Sequence, residues 1–238
     1  MVNSLYIYHH LGLGDHIICN AIVRIYAEKH DKIFLFAKPR YFDNVVYMYR
    51  DLSNIRFIAL DDADVKFFMN MNPNNKYLIV GHTMDWCNKL NTGVYKHFDD
   101  AFYIAANVPI EDKWNKFYFQ RDIEKEKDIY HNKFGLKDGE EYLFIHDDPG
   151  RGRHLKPSYI PTEFKIIKSD DHKDVKLFDF IYTIEHAKEI HLINSSISTL
   201  IDTMQIKTGP IFIHKYATAD GKVAPSPNFK LKYTSYDV

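Results

Sequence analysis

The sequence predicts an α/β protein of two small doubly wound lobes facing each other across a cleft. Three observations lead there. Short apolar strands alternate with amphipathic helical segments in the first third of the chain, and the alternation returns in the last third. Strand and helix alternating at this pitch form parallel βαβ units, with right-handed crossovers between them. At roughly 150 residues per domain, 238 residues make one large domain or two small ones.

Taken in order, Leu5–His9 is a short apolar strand followed by the turn Gly12-Leu13-Gly14. From Asp15 to about His30, Ile18, Ile22 and Ile25 recur at helical spacing, with Arg24 and Glu28 on the wet side. Ile33–Ala37 reads as a strand, Tyr41–Arg50 as a helix and Ile55–Leu60 as a strand. Asp61–Met71 is helical, with acidic residues in the first turn where the helix dipole favours them. Tyr77–Gly81 is the fourth strand.

The middle holds a helix over Tyr95–Asn107 that stops before Pro109, and Lys113–Phe119 as a crossing between lobes. The charged run Arg121–Asp128 begins a helix reaching Phe134, its charges paired along a solvated face. In the last third Tyr142–His146 and Phe164–Lys168 are strands, Leu177–Ala187 a helix and Glu189–Ile193 a strand. Asn194-Ser195-Ser196 opens a helix through about Met204, and Pro210–His214 is the last strand. Residues 215–238 lack a periodic pattern and read as an extended tail over the surface. The lobes are residues 1–115 and 116–238, each Rossmann-like.

Composition removes several functions. Lys and Arg number 31 against 32 Asp and Glu, a formal charge of −1. That balance excludes a general nucleic-acid or membrane-surface binder, which needs a basic excess. The longest apolar run, Ala101–Ala106, has six residues; a spanning helix needs about 20. Arg24 is the first basic residue and follows Asp15, so no positive region precedes an apolar signal segment. Cys19 and Cys87 form no CxxC pair, and Cys19 lies on an apolar helical face as a core residue. The expectation is a cytoplasmic protein without a membrane span. His9, His10 and His16 cluster, but no HxxxH pair with a carboxylate partner occurs, so no metal is expected.

Three stretches can carry chemistry. In His9–His16, Gly12 and Gly14 let a ligand approach the backbone at a helix start, and Asp15 or His16 is a candidate general base. It is not a dinucleotide fingerprint: Ile17 takes the third glycine position, and Asp15 would repel pyrophosphate. An ordinary turn capped by Asp15 is the competing reading. In Ile145–His154, His146, Arg151 and Arg153 stand beside Gly150 and Gly152, and an arginine fork grips phosphate. An exposed turn with neutralised charges competes. In Asn194–Ser198, the hydroxyls of Ser195, Ser196 and Ser198 and the free N–H groups of a helix start form an anion site or an N-cap, two roles that are compatible.

Gly12-Leu13-Gly14-Asp15-His16-Ile17-Ile18, between a strand and an amphipathic helix, resembles the N-terminal signature of heptosyltransferase-like (family 9) glycosyltransferases. The Asn194-Ser195-Ser196 turn resembles the donor-side signature of the same superfamily, and the His146–Arg153 loop is loosely similar to that of fucosyltransferase-type enzymes. The resemblance implies a compact GT-B-like fold, with an acceptor-side lobe over 1–115 and a nucleotide-sugar lobe over 116–238. It implies Asp15 as the base and an inverting, metal-independent transfer from a nucleotide-sugar donor to a glycan or other hydroxyl acceptor. No resident cofactor is expected. The alternative is a non-catalytic binder of a nucleotide or phospho-sugar. A nicotinamide enzyme is disfavoured by Ile17 and by the absence of a Tyr-x-x-x-Lys pair.

Overall fold

The computed structural model describes residues 2–82, 96–216 and 227–237. They form two compact units. One runs through Gln120 and takes in Pro227 and Asn228; the other begins at Arg121 and takes in Phe229 onward.

Unit one contains β1 (Ser4–Tyr8), α1 (Leu13–Ile18), α2 (Asn20–Ala27), β2 (Lys32–Ala37), α3 (Phe42–Met48), β3 (Ile55–Ala59), α4 (Asp62–Met71), β4 (Tyr77–Ile79), α5 (Phe98–Ala105) and α6 (Asp112–Asn115). Its sheet runs β3-β2-β1-β4 with every pair parallel. Strands covered on both faces read as apolar runs, as in Lys32–Ala37, where Ile33, Leu35, Phe36 and Ala37 are fully buried. One cluster joins Ile18, Cys19, Ile22 and Ile25 to Val80, Phe102 and Tyr103; another joins Tyr8, Leu11 and Phe36 to Val65.

The single helix expected from Asp15 to His30 is two. They meet at Cys19, whose φ of −83° and ψ of 2° break the helical path. Beside the break, the buried Asn20 side chain donates to the Tyr118 carbonyl and accepts its N–H, each at 3.1 Å. That paired contact is long-range and leaves no mark on the local apolar period. Residues 113–119 lie within unit one. There Lys113 is fully buried, its Nζ 2.8 Å from Asp99 Oδ2 and 2.7 Å from the Asn228 carbonyl. A buried charge needs such partners, because leaving it bare costs several kcal/mol.

Unit two contains α7 (Ile123–Asp128), which widens into a π-helical turn over Ile129–Lys133, then β5 (Tyr142–His146) and β6 (Lys165–Lys168). A 3₁₀ turn at Leu177–Phe180 leads into α8 (Ile181–His186) and β7 (Glu189–Leu192). Then come α9 (Ser196–Met204), β8 (Ile211–His214) and β9 (Thr234–Tyr236). The sheet runs β6-β5-β7-β8-β9, again all parallel. The expected surface tail therefore contains a strand, with His214 opposite Tyr236. Buried Asp202 guides it in by accepting the Lys230 and Leu231 N–H groups at 2.7 and 2.9 Å. Three residues are too few to show a period of two.

Candidate functional site

In an open parallel sheet, ligands bind outside the carboxyl ends of the strands, where the strand order reverses. Unit one reverses between β1 and β4, and unit two between β5 and β7. The loop leaving β1 carries His9–Gly12, and Val80–His82 follows β4. The loop leaving β5 carries Asp147–Lys156, and Ile193–Ser195 follows β7. All three stretches singled out in the sequence lie at a reversal point.

In unit one, Gly12 is the N-cap of α1, in extended backbone. Asp15 is the third helical residue, and its carboxylate turns back to accept the Gly12 N–H. A Cβ on Gly12 would stand 2.5 Å from Asp15 Oδ2, so a side chain there would displace the carboxylate. Gly14, half-buried, occupies the second helical position. A helix N-terminus favours an ionised carboxylate at Asp15. Instead burial pushes its carboxyl up to about 7, against the opposing pull of the Gly12 N–H and Lys38. The physical reason is that a six-residue helix offers a small terminal field, while lost hydration acts on the whole charge.

His16 points inward. It is fully buried, neither ring nitrogen has a hydrogen-bond partner, and it meets His9 edge to face at 4.4 Å. Burial holds it well below the usual imidazole range and hence neutral. A side chain so enclosed cannot meet an incoming hydroxyl, which removes it as an alternative base.

Sequence reasoning missed the residues around Asp15. Lys38 follows β2, and its Nζ lies 2.6 Å from Asp62 Oδ2 at the start of α4. Tyr8 places its hydroxyl 3.4 Å from the same carboxylate. His82, just past β4, stacks on Tyr8 at 3.9 Å, and His10 meets His82 edge to face at 4.7 Å. Lys38 and Asp62 act on Asp15 in opposite senses. The available signal was position: each of Lys38, Asp62 and His82 comes one to three residues after a strand end.

In unit two, β5 delivers His146, whose Nδ1 is 2.7 Å from Ser169 Oγ; burial pushes it down to about 4, so it is neutral. Beyond it, Asp148 and Arg153 exchange two backbone hydrogen bonds of 2.9 Å, closing a tip whose Gly152 has φ +68°. The two arginines differ. Arg151 is exposed, with its Nε held by the Asp148 carboxylate of the same tip. Arg153 is half-buried, and its Nε has no hydrogen-bond partner. Asp147, buried, is 3.1 Å from Lys168 at the end of β6, a cation the sequence did not single out.

Ser195 is the N-cap of α9, and Ser196 is its first residue; both are half-buried. Ser198 is buried and closes the turn, accepting the Ser195 N–H at 2.9 Å and donating to the Ser195 carbonyl at 2.8 Å. The Ser198 hydroxyl is thus spent on the Ser195 backbone, whereas Ser195 Oγ has no hydrogen-bond partner. Among the described residues, no group of three or more His, Cys, Asp or Glu is arranged to hold a metal ion. No helix among them is long and apolar enough to cross a membrane.

Each unit is a parallel α/β sheet whose strand order reverses once, and solved glycosyltransferase structures share this fold. A family 9 glycosyl transferase from Veillonella parvula superposes with a TM-score of 0.54 at 10% identity, covering 90% of this chain and 80% of its own. The ADP-heptose LPS heptosyltransferase II of E. coli gives 0.51 at 10% identity, covering 89% and 84%. The iron-containing dodecameric glycosyltransferase TibC of enterotoxigenic E. coli gives 0.51 at 11%, covering 90% and 58%. What is shared at such identities is the fold. No family model matches the sequence, and no curated protein matches it.

Proposed function

We propose that the protein is a nucleotide-sugar-dependent glycosyltransferase, with the acceptor on unit one and the donor diphosphate on unit two. One observation carries the proposal: Asp15, at the glycine turn opening α1 on a GT-B fold, has its carboxyl lifted to about 7. A general base works best when its pKa lies near the working pH. Asp15 accepts the proton of the acceptor hydroxyl as that oxygen attacks the anomeric carbon, and a single displacement inverts the centre.

On unit two, the guanidinium of half-buried Arg153 meets the departing diphosphate. The N–H groups at the start of α9, with Ser195 and Ser196, add a second set of donors. Neutral His146 lines the same loop, and Arg151 joins once it exchanges Asp148 for the ligand. These donors stabilise the leaving group without a metal. We place the reaction in the cytoplasm, an assignment supported by the free buried thiol of Cys19. The test is transfer from a panel of nucleotide sugars, measured for the wild type and Asp15→Asn. Transfer that survives the substitution at full rate overturns the assignment of the base.

A further inference from the structure

Unit two holds a chain of hydrogen bonds that the proposed chemistry does not use. Glu189 Oε2, on β7, lies 3.4 Å from His191 Nε2. His191 Nδ1 lies 3.1 Å from His214 Nε2, on β8. His214 Nδ1 lies 2.8 Å from the Tyr216 hydroxyl, which accepts the Lys156 backbone N–H at 2.9 Å. Both histidines are 1% exposed.

Donor parity gives this chain one direction. A carboxylate only accepts, so His191 carries its hydrogen on Nε2 and accepts at Nδ1. His214 then donates from Nε2 and accepts at Nδ1, and the Tyr216 hydroxyl donates to it. The same hydroxyl oxygen takes the Lys156 N–H. Burial keeps both rings neutral, His214 at about 4, as a nitrogen-to-nitrogen bond of this kind requires.

The chain ends on the loop that carries the arginines, since Lys156 follows Arg153 by three residues. Tyr159 of the same loop stacks on Tyr236 of β9 at 4.6 Å. The loop thus leaves the sheet at β5 and is fastened beside β8 and β9. In the order β5-β7-β8-β9 it must pass the carboxyl end of β7, where Ser195 opens α9.

We propose that Tyr216 and His214, braced by His191 and Glu189, are positioning residues that hold the arginine loop across the end of β7 and so present Arg153 to a diphosphate. This rests on the reading of unit two as the diphosphate side, and the experiment separates the two. In the free protein, Tyr216→Phe removes the acceptor for Lys156 and should speed hydrogen exchange at the Arg153 amide about tenfold, the worth of one lost hydrogen bond. As single substitutions, His214→Gln, able to donate and accept, should retain most of the wild-type protection, and His214→Phe should not. Nitrogen NMR should show the Nε2–H tautomer on both histidines. By calorimetry, ADP and inorganic pyrophosphate should each bind Tyr216→Phe about tenfold more weakly, with melting close to wild type.

Unchanged Arg153 exchange in Tyr216→Phe overturns the positioning role, as does unchanged affinity for both probes. Faster exchange in a protein whose wild type binds neither probe leaves the anchor standing and overturns the diphosphate reading instead.

Discussion

The turn at the end of β1 and the loop at the end of β5 occupy equivalent places in their sheets, yet they treat charge in opposite ways. Around Asp15 the protein withdraws water: His9 and His16 are enclosed and neutral, and the carboxyl itself is lifted to about 7. Around Arg153 it keeps permanent charges and pairs them with carboxylates, exposed Arg151 with Asp148 and Lys168 with buried Asp147. The contrast fits two tasks. A group that must take a proton at neutral pH has to lose part of its hydration. A group that must receive an anion has to stay charged, with donors that a ligand can claim.

The largest expected effect comes from Asp15→Asn. General-base catalysis is typically worth about 10²–10⁴ in rate, so transfer should fall by roughly 10² or more. Asn keeps the shape and caps comparably, so donor binding should stay near wild type. A steady-state assay beside a melting curve checks both.

Next in size is the split between the two arginines. Arg153→Ala should weaken nucleoside diphosphate binding by about 1.5–3 kcal/mol, the worth of a charge-assisted hydrogen bond. Arg151→Ala should cost less, because that side chain must first give up Asp148. Titration calorimetry that ranks them equally would erase the difference drawn between tip and base of the loop.

A smaller effect is on stability against pH. The folded-state pKa of Asp15 is raised above the ordinary 3.8, so the folded protein holds the extra proton between about 4 and about 7. Its contribution to stability is fully present below the unfolded value and is lost as pH rises through 7. Asp15→Asn removes that dependence, and its melting temperature should gain on wild type as pH climbs across this window. Parallel melting curves for the two proteins from pH 4 to 8 would contradict it.

The smallest is the tuning of Asp15 by its neighbours. Lys38→Met should move the Asp15 titration upward, and Asp62→Asn should move it downward, since the two charges act in opposite senses. Carboxyl-carbon NMR reads the midpoint directly, and shifts of the same sign would show that the pair does not bear on Asp15.

Much of the fold was legible because parallel strands buried on both faces must be apolar, as Lys32–Ala37 and Tyr142–His146 are. What escaped had no local signature. Cys19 breaks a helix whose apolar period continues through it, beside an Asn20 contact to Tyr118 across 98 residues of chain. The strand at Thr234–Tyr236 depends on a pairing with β8 that three residues cannot announce. The glycine turn and the arginine loop were legible for the opposite reason: each is a run of adjacent residues with unusual composition.

By itself the sequence determined the alternation of elements, the positions of the loops at strand ends and the residue types those loops present. These follow from local propensity and from patterning, which act over a few residues. Only the tertiary structure decided that His16 is shut away, that burial pushes the Asp15 carboxyl up to about 7, that Asp148 holds Arg151 Nε while Arg153 Nε has no partner, and that Lys38, Asp62 and His82 gather near the first turn. Protonation and hydrogen-bond satisfaction depend on desolvation and on partners contributed by other strands. Those are properties of the packed arrangement, and they arise only when distant segments meet.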